Sequence, residues 1–146
     1  MEYFEVGFEL VKSAFCETDE INVGFGADCS YLQIADGSSV AFAVIYDLND
    51  NESDFIELAR FFVPKEYRGK GFGRAAAVFI IRELFKLKSE ILIDPLSNSV
   101  RFWGSVAKEF SGSVDFVDAV APKYIWTKNN TYELSPCKGT KYIPSD

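Results

Sequence analysis

Residues 63–74 read VPKEYRGKGFGR, and no other stretch restricts the fold so tightly. Ahead of them, residues 55–63 form an apolar, β-prone run. Behind them, residues 74–88 form an alanine-led run with helical spacing. Between the two, Gly69, Gly71 and Gly73 are interleaved with Arg68, Lys70, Phe72 and Arg74. A chain that passes from strand through glycine loop into helix gathers backbone N–H groups at one point. The first turn of a helix has unpaired donors and a partial positive charge. Glycines let a phosphate approach that backbone closely. The cations add charge of the right sign. Exposed Arg and Lys beside a turn are ordinarily just solvated, but here they coincide with a helix start. The simplest reading is a pyrophosphate cradle.

Several glycine loops cradle phosphates, and they differ in spacing. A dinucleotide fingerprint reads G-x-G-x-x-G with an acid about 20 residues further on. Here the glycines alternate as G-x-G-x-G, and the next β-prone run ends at Asp94 after a long helical stretch. The phosphate loop G-x-x-x-x-G-K-S/T is absent. The string R-x-x-G-x-G at residues 68–73, led by V-x-x-E-Y, resembles the acyl-CoA-binding motif of the GNAT superfamily of N-acyltransferases. The match extends over about residues 31–128 and is poorest in residues 1–28.

The chain has 146 residues, about one domain, and 48% of them are apolar, enough for a full core. We therefore expect a single domain over residues 1–146. No uninterrupted apolar run is longer than residues 75–81, which are too few to span a bilayer. Glu2 and Glu5 do not give the basic start of a secretory leader. Cys16, Cys29 and Cys137 are widely spaced and suggest neither a disulfide framework nor a zinc site. The expected compartment is the reducing cytoplasm, and no metal is expected. There is no histidine, so Ser-His and Cys-His nucleophilic catalysis are excluded. Acid–base work must fall to Asp, Glu, Tyr, Lys, a backbone group or water. The net charge of −7 argues against nucleic acid and favours a cationic or amine-bearing partner, small molecule or protein.

The pattern along the chain predicts a mixed α/β sheet. Residues 2–15 carry two overlapping periods: Phe4, Val6, Phe8 and Leu10 alternate, whereas Phe4, Phe8, Val11 and Phe15 share a helical stripe. The stripe favours one helix over the whole segment, with an edge strand at its start as the alternative. An acidic loop is expected at Glu17, Asp19 and Glu20. Strands are expected at 31–35, 40–46 and 55–63, the first two joined by a turn at Asp36-Gly37-Ser38-Ser39. After the glycine loop come a helix, a short strand at 90–94, a second helix to about Phe110, and β-prone runs at 114–120 and 124–128. The order is an antiparallel meander, then β-α-β-α, then a closing hairpin. It is also the order that the resemblance implies. Residues 131–146 are polar and read as a mobile tail or a subunit contact.

The resemblance implies that two parallel strands, 55–63 and 90–94, splay apart and hold the pantetheine arm of acetyl-CoA in the gap. The arm would pair with the backbone of Phe61, Phe62 and Val63. The diphosphate would take N–H bonds from Arg68, Gly69, Lys70, Gly71, Phe72, Gly73 and Arg74. Asn98 and Trp103 are the further cofactor contacts. An amine would attack the thioester carbonyl, and a carboxylate near the splay would accept its proton. Glu57 is the candidate base, eleven residues before Arg68, with strand parity shared with Ala59, Phe61 and Val63. Asp54, Glu52 and Asp94 are reserves. Many relatives carry a tyrosine where this chain has Trp103, and indole is a donor but not a practical acid. Tyr124 is the candidate substitute acid. The expected activity is therefore acetyl-CoA-dependent N-acetylation in a ternary complex. The alternative is a non-catalytic acyl-CoA-binding module. A homodimer is the assembly that the resemblance allows.

Overall fold

Strand β3, Ser39–Tyr46, is almost wholly apolar, and Ala41 to Ile45 are buried on both faces. Such a run belongs at the centre of a sheet. Its neighbour β2, Cys29–Asp36, pairs antiparallel from Cys29↔Tyr46 to Asp36↔Ser39. The two intervening residues make the hairpin turn, with Gly37 at a φ of 61°. On the other side lies β4, Phe55–Phe62, again antiparallel. The computed structural model describes residues 1–15, 29–120 and 123–132. The expected loop at Glu17, Asp19 and Glu20, Cys16, Cys137 and most of the tail lie outside the described residues.

The N-terminal segment is not one helix. Residues Glu2–Glu5 form an edge strand, β1, paired antiparallel with β2, and Phe8–Phe15 form helix α1. Both periods in the sequence are real, but they follow one another. Four ladder pairs tie β1 to β2, and the Val6 N–H bonds to the Tyr31 carbonyl at 2.8 Å just before the chain enters α1.

The second half forms the expected crossover. Helix α2, Phe72–Phe85, returns the chain so that β5, Glu90–Ile93, lies parallel to β4. Helix α3, Val100–Ala107, follows, and then β6, Val114–Val120, and β7, Lys123–Lys128. The hairpin adds its second strand beside β5, giving the sheet order β1-β2-β3-β4-β5-β7-β6. The larger core lies on the α2 and α3 side and includes Ile56, Leu58, Ile80, Phe85, Val106 and Trp126. Nine of the 14 residues of α2 are buried, and Ala75, Ala76 and Ala77 keep its first turns slim against the sheet. On the opposite face, Val11 of α1 packs on Phe42, Val44, Ala59 and Phe62.

One irregularity sets where the later side chains of β4 point. Val44 pairs with Arg60 but Ile45 pairs with Leu58, so Ala59 is an extra residue in β4. Such a bulge bends its strand and reverses the alternation of side chains beyond it. Ile56 and Leu58 face the larger core; past the bulge, Phe61 and Val63 join that face, while Ala59 and Phe62 pack on the α1 side.

Candidate functional site

The β4–β5 ladder runs from Phe55↔Glu90 to Leu58↔Ile93 and stops there. β5 ends at Ile93 and Pro95 follows, whereas β4 continues for four more residues. The strands part at that point, and β4 presents backbone that no neighbour in the ladder takes. A cavity of about 790 Å³ opens into the gap. Leu58 to Val63 form one wall, Ile93 to Leu96 another, and Phe102 and Trp103 of α3 close the floor.

The glycine loop forms the far end of the same cavity. A single 3-10 turn, Lys65–Tyr67, leads the chain out of the strand. Gly69 and Gly71 then take left-handed φ values of 84° and 82°, which side-chain-bearing residues rarely adopt. Gly71 caps α2, and no side chain caps that helix. The first bond across this end runs from the Ala75 N–H to the Gly71 carbonyl at 3.2 Å. Donors of the first turn, such as those of Gly73 and Arg74, therefore have no intrahelical acceptor. Gly73 serves a different need. A Cβ there would meet Val63 Cγ2 at 3.2 Å and Phe102 Cε1 at 3.8 Å. Its bare backbone lets helix, strand end and α3 converge around the cavity.

Of the residues singled out in the sequence, Phe61, Phe62, Val63, Arg68, Gly69, Gly71, Gly73, Arg74, Asn98 and Trp103 line this one cavity. Lys70 is exposed and Phe72 has its ring buried in the core, so neither side chain is part of the wall. The two arginines are braced rather than free. Arg68 Nε–H donates to the Val63 carbonyl at 2.6 Å, and its guanidinium lies 5.2 Å from the Phe62 ring centroid. Arg74 donates to Glu109 Oε1 at 2.7 Å and to the Ser105 carbonyl at 3.2 Å. Their charge sits at the loop, but internal contacts hold it. Trp103 is 9% exposed and makes edge contacts with Phe61, Phe102 and Trp126, so it is a core anchor as well as a wall. Phe102, which the sequence did not single out as a contact, stacks on Phe61 at 6.0 Å and 19°.

Glu57 does not line the cavity. It pairs across the ladders with Tyr46 and Leu92, one residue before the strands part. The bulge at Ala59 corrects its expected parity: Glu57 shares the α1 face with Ala59 and Phe62, not with Phe61 and Val63. Asp94, one residue beyond the last β5 pair, does line the cavity, and its carboxylate is 3.7 Å from Lys123 Nζ. Tyr124 pairs with Ile93 on β7, is 40% exposed, and lies outside the lining. Among the described lining residues there is no tyrosine. Arg60 also lines the cavity, and nothing in the alternation of the sequence marks it, because only the bulge sets its direction.

The α1 face also carries Cys29, Tyr31 and Tyr46. Burial, with help from a hydrogen bond to Cys29, pushes the Tyr31 phenol up to about 12. Burial raises the Cys29 thiol as well. Both groups stay neutral at ordinary pH. Among the described residues, no group of three or more His, Cys, Asp or Glu is placed to hold a metal ion.

Comparison with known proteins gives a consistent picture. The Acetyltransferase (GNAT) family matches residues 5–104. The chain is 28% identical over 118 residues to a probable spermine N(1)-acetyltransferase of Bacillus subtilis subsp. natto (strain BEST195), covering 70% of this chain and 76% of that protein. Its fold is similar to that of the ribosomal-protein-S18-alanine N-acetyltransferase of Escherichia coli, with a TM-score of 0.54 at 15% identity over 86% of this chain and 90% of the other. An uncharacterized protein of Bacillus halodurans gives a TM-score of 0.61 at 13% identity, over 90% of this chain and 86% of the other.

Proposed function

The chain belongs to the acetyltransferase (GNAT) family, and from that premise we propose that it is an acetyl-CoA-dependent N-acetyltransferase. It moves an acetyl group to a primary amine of a small molecule or protein by direct transfer in a ternary complex. The observation that carries this reading is the continuity of one cavity from the glycine loop to the point where β4 and β5 part. The fit to the cofactor rests on three features. Left-handed glycines and a helix start offer donors for a diphosphate. Gly73 has no Cβ where one would press on Val63. The unpaired edge of β4 beyond Leu58 can take an extended, amide-bearing arm as a further strand.

When bound, acetyl-CoA supplies an acyl group activated as a thioester. The residues of this chain position it and accept the proton that the amine gives up. Phe102 and Trp103 wall the gap with aromatic surface. The bulge leaves its extra residue, Ala59, outside the β3–β4 ladder, and its one backbone N–H is the donor that polarises a carbonyl there. Glu57 takes the amine proton through a bridging water from the α1 face, one residue before the strands part. Asp94 is the other carboxylate at the parting, and it is engaged with Lys123. The amine-bearing substrate of the Bacillus subtilis relative supports a small-molecule amine as acceptor.

The site lacks a tyrosine in its described lining, and Trp103 cannot serve as an acid. That favours water as the proton source for the departing thiolate, and it gives the non-catalytic acyl-CoA-binding module its one specific support. Two measurements separate the readings. CoA should raise the heat-unfolding midpoint by mass action, and no rise at about millimolar CoA removes both. Acetyl-CoA with a panel of amines should release free thiol, whereas binding without release leaves only the module.

A further inference from the structure

Four charged residues line the cavity: Arg60, Arg68, Arg74 and Asp94. Three are engaged by groups elsewhere in the fold. Arg68 holds the Val63 carbonyl, Arg74 holds Glu109, and Asp94 faces Lys123. Arg60 differs. Its Nη1 donates at 2.7 Å to the carbonyl of Ala59, its own chain neighbour. Its Nε is shut off from solvent and has no acceptor among the described residues. No described carboxylate lies within ion-pair distance of it. A buried guanidinium donor without a partner is costly, because the group has lost water and gained nothing.

The bulge fixes where Arg60 stands. It is paired with Val44, so it lies on the α1 face, opposite to Phe61 and Val63. Glu57 lies on that same face, paired with Tyr46, two positions along β3 from Val44. Two positions of a strand amount to about 7 Å. A carboxylate-bearing and a guanidinium-bearing residue thus leave one face of the sheet from backbone positions roughly that far apart, and the guanidinium has its Nε unpaired. Two such neighbouring side chains can hold the two ends of a small molecule whose amine and carboxylate are a few bonds apart, each by a hydrogen bond of about 2.8 Å.

Resting on the transferase reading above, we propose that Arg60 is a specificity-determining residue that binds a carboxylate carried by the acyl acceptor. The acceptor is then an amine with an acidic group a few bonds away, in the amino-acid class, and not a polyamine. The amine end meets Glu57, and the carboxylate pairs with the Arg60 guanidinium, whose side chain must shift to uncover its Nε for the two parallel hydrogen bonds arginine makes with a carboxylate. The negative charge of the chain does not oppose this, because the acceptor still presents a cationic amine to the approach.

The test compares free amino acids with their carboxamides, and with spermine, as acceptors of acetyl-CoA, read by thiol release. At least one amino acid should exceed its amide in kcat/KM by about tenfold or more. Arg60→Gln should erase that preference, Arg60→Lys should retain part of it, and the CoA-induced midpoint rise should survive in both. Equal use of acid and amide, better use of spermine, or an undiminished preference in Arg60→Gln overturns the proposal. Loss of the CoA response in Arg60→Gln also overturns it, since Arg60 would then be a cofactor contact. If no amine releases thiol, the transferase reading fails, but Arg60 is still decided by binding. Amino acid added to the CoA-saturated protein should raise the midpoint further, and Arg60→Gln should abolish that increment. No increment in the parent protein rejects the assignment.

Discussion

Replacing Gly71 by alanine separates the conformation of the glycine loop from its contacts. Gly71 sits at φ 82° and ψ −3°, and a Cβ built there meets no atom within 4 Å. The cost is therefore conformational and not steric. An L-residue in the left-handed region costs roughly 1–2 kcal/mol. Loss of glycine's freedom in the unfolded chain offsets about 0.4–1 kcal/mol of that. The net destabilisation should be about 1 kcal/mol. Unfolding entropy for a chain of this length is about 0.3 kcal/mol per kelvin, so the midpoint should fall by about 3 °C. Gly71→Asn should fall less, because asparagine tolerates this region. Gly73→Ala provides the contrast. Its φ is ordinary, but its methyl group would lie 3.2 Å from Val63 Cγ2. There a helix-propensity gain of up to about 1 kcal/mol offsets the crowding, so the midpoint should change little while the CoA-induced rise is lost. Scanning calorimetry with and without CoA reads all three variants. A fall of more than about 10 °C for Gly71→Ala, or an asparagine variant as unstable as the alanine one, would refute the conformational account.

Three further outcomes are expected. Glu57→Gln should lower kcat by about a hundredfold or more while leaving the CoA-induced midpoint rise intact; full turnover in that variant moves the base to Asp94, which Asp94→Asn then tests. Glu109→Gln removes the negative charge, though not the acceptor oxygen, of the 2.7 Å partner of a half-buried Arg74 and should cost at most about 1 kcal/mol, with the deficit shrinking in about 1 M salt. A deficit that salt leaves unchanged would mean that the pair acts through packing. Tyr31 is pushed up to about 12 from an ordinary value of 10.0. The folded state thus holds that proton more tightly than the unfolded one. Its contribution is fully present below pH 10 and is lost as pH rises through 12. Unfolding midpoints measured across that window should fall less steeply in Tyr31→Phe than in the parent, and identical slopes would reject the assignment.

The glycine loop was legible because its determinants are local. Positive φ at Gly69 and Gly71 and a helix start just after them are written in consecutive residues. The meander and crossover were legible for the same reason, since each strand and helix carries its own period and its own turn. The partners of Arg74 were not. Ser105 and Glu109 lie 31 and 35 residues further on, and only the packing of α3 beside the loop brings them there. The N-terminal segment failed in another way. Two periods overlap in one short stretch, and the pairing of β1 with β2, far along the chain, decides where the first ends.

The deepest failure concerns β4, and it is also the most informative. Simple alternation puts Glu57 with Phe61 and Val63, and no residue type in FIELARFF announces otherwise. A single residue, Ala59, without a partner on β3 reverses that assignment for everything after it. The reversal has a functional consequence. It sends Phe61 and Val63 to the α2 and α3 side, where the cavity wall and the glycine loop lie, and leaves Glu57 and Arg60 on the α1 side. One strand thus faces two directions at the place where it parts from β5. On the proposed reading, the acyl donor lies against one face and the acceptor approaches from the other, and the bulge lets both meet at the same backbone. Deleting Ala59 would keep Glu57, Arg60, Phe61 and Val63 on their present faces and remove only the irregular backbone, so it should abolish transfer even if the protein folds and still responds to CoA. Turnover that survives the deletion would show that the bulged backbone plays no part in polarising the carbonyl.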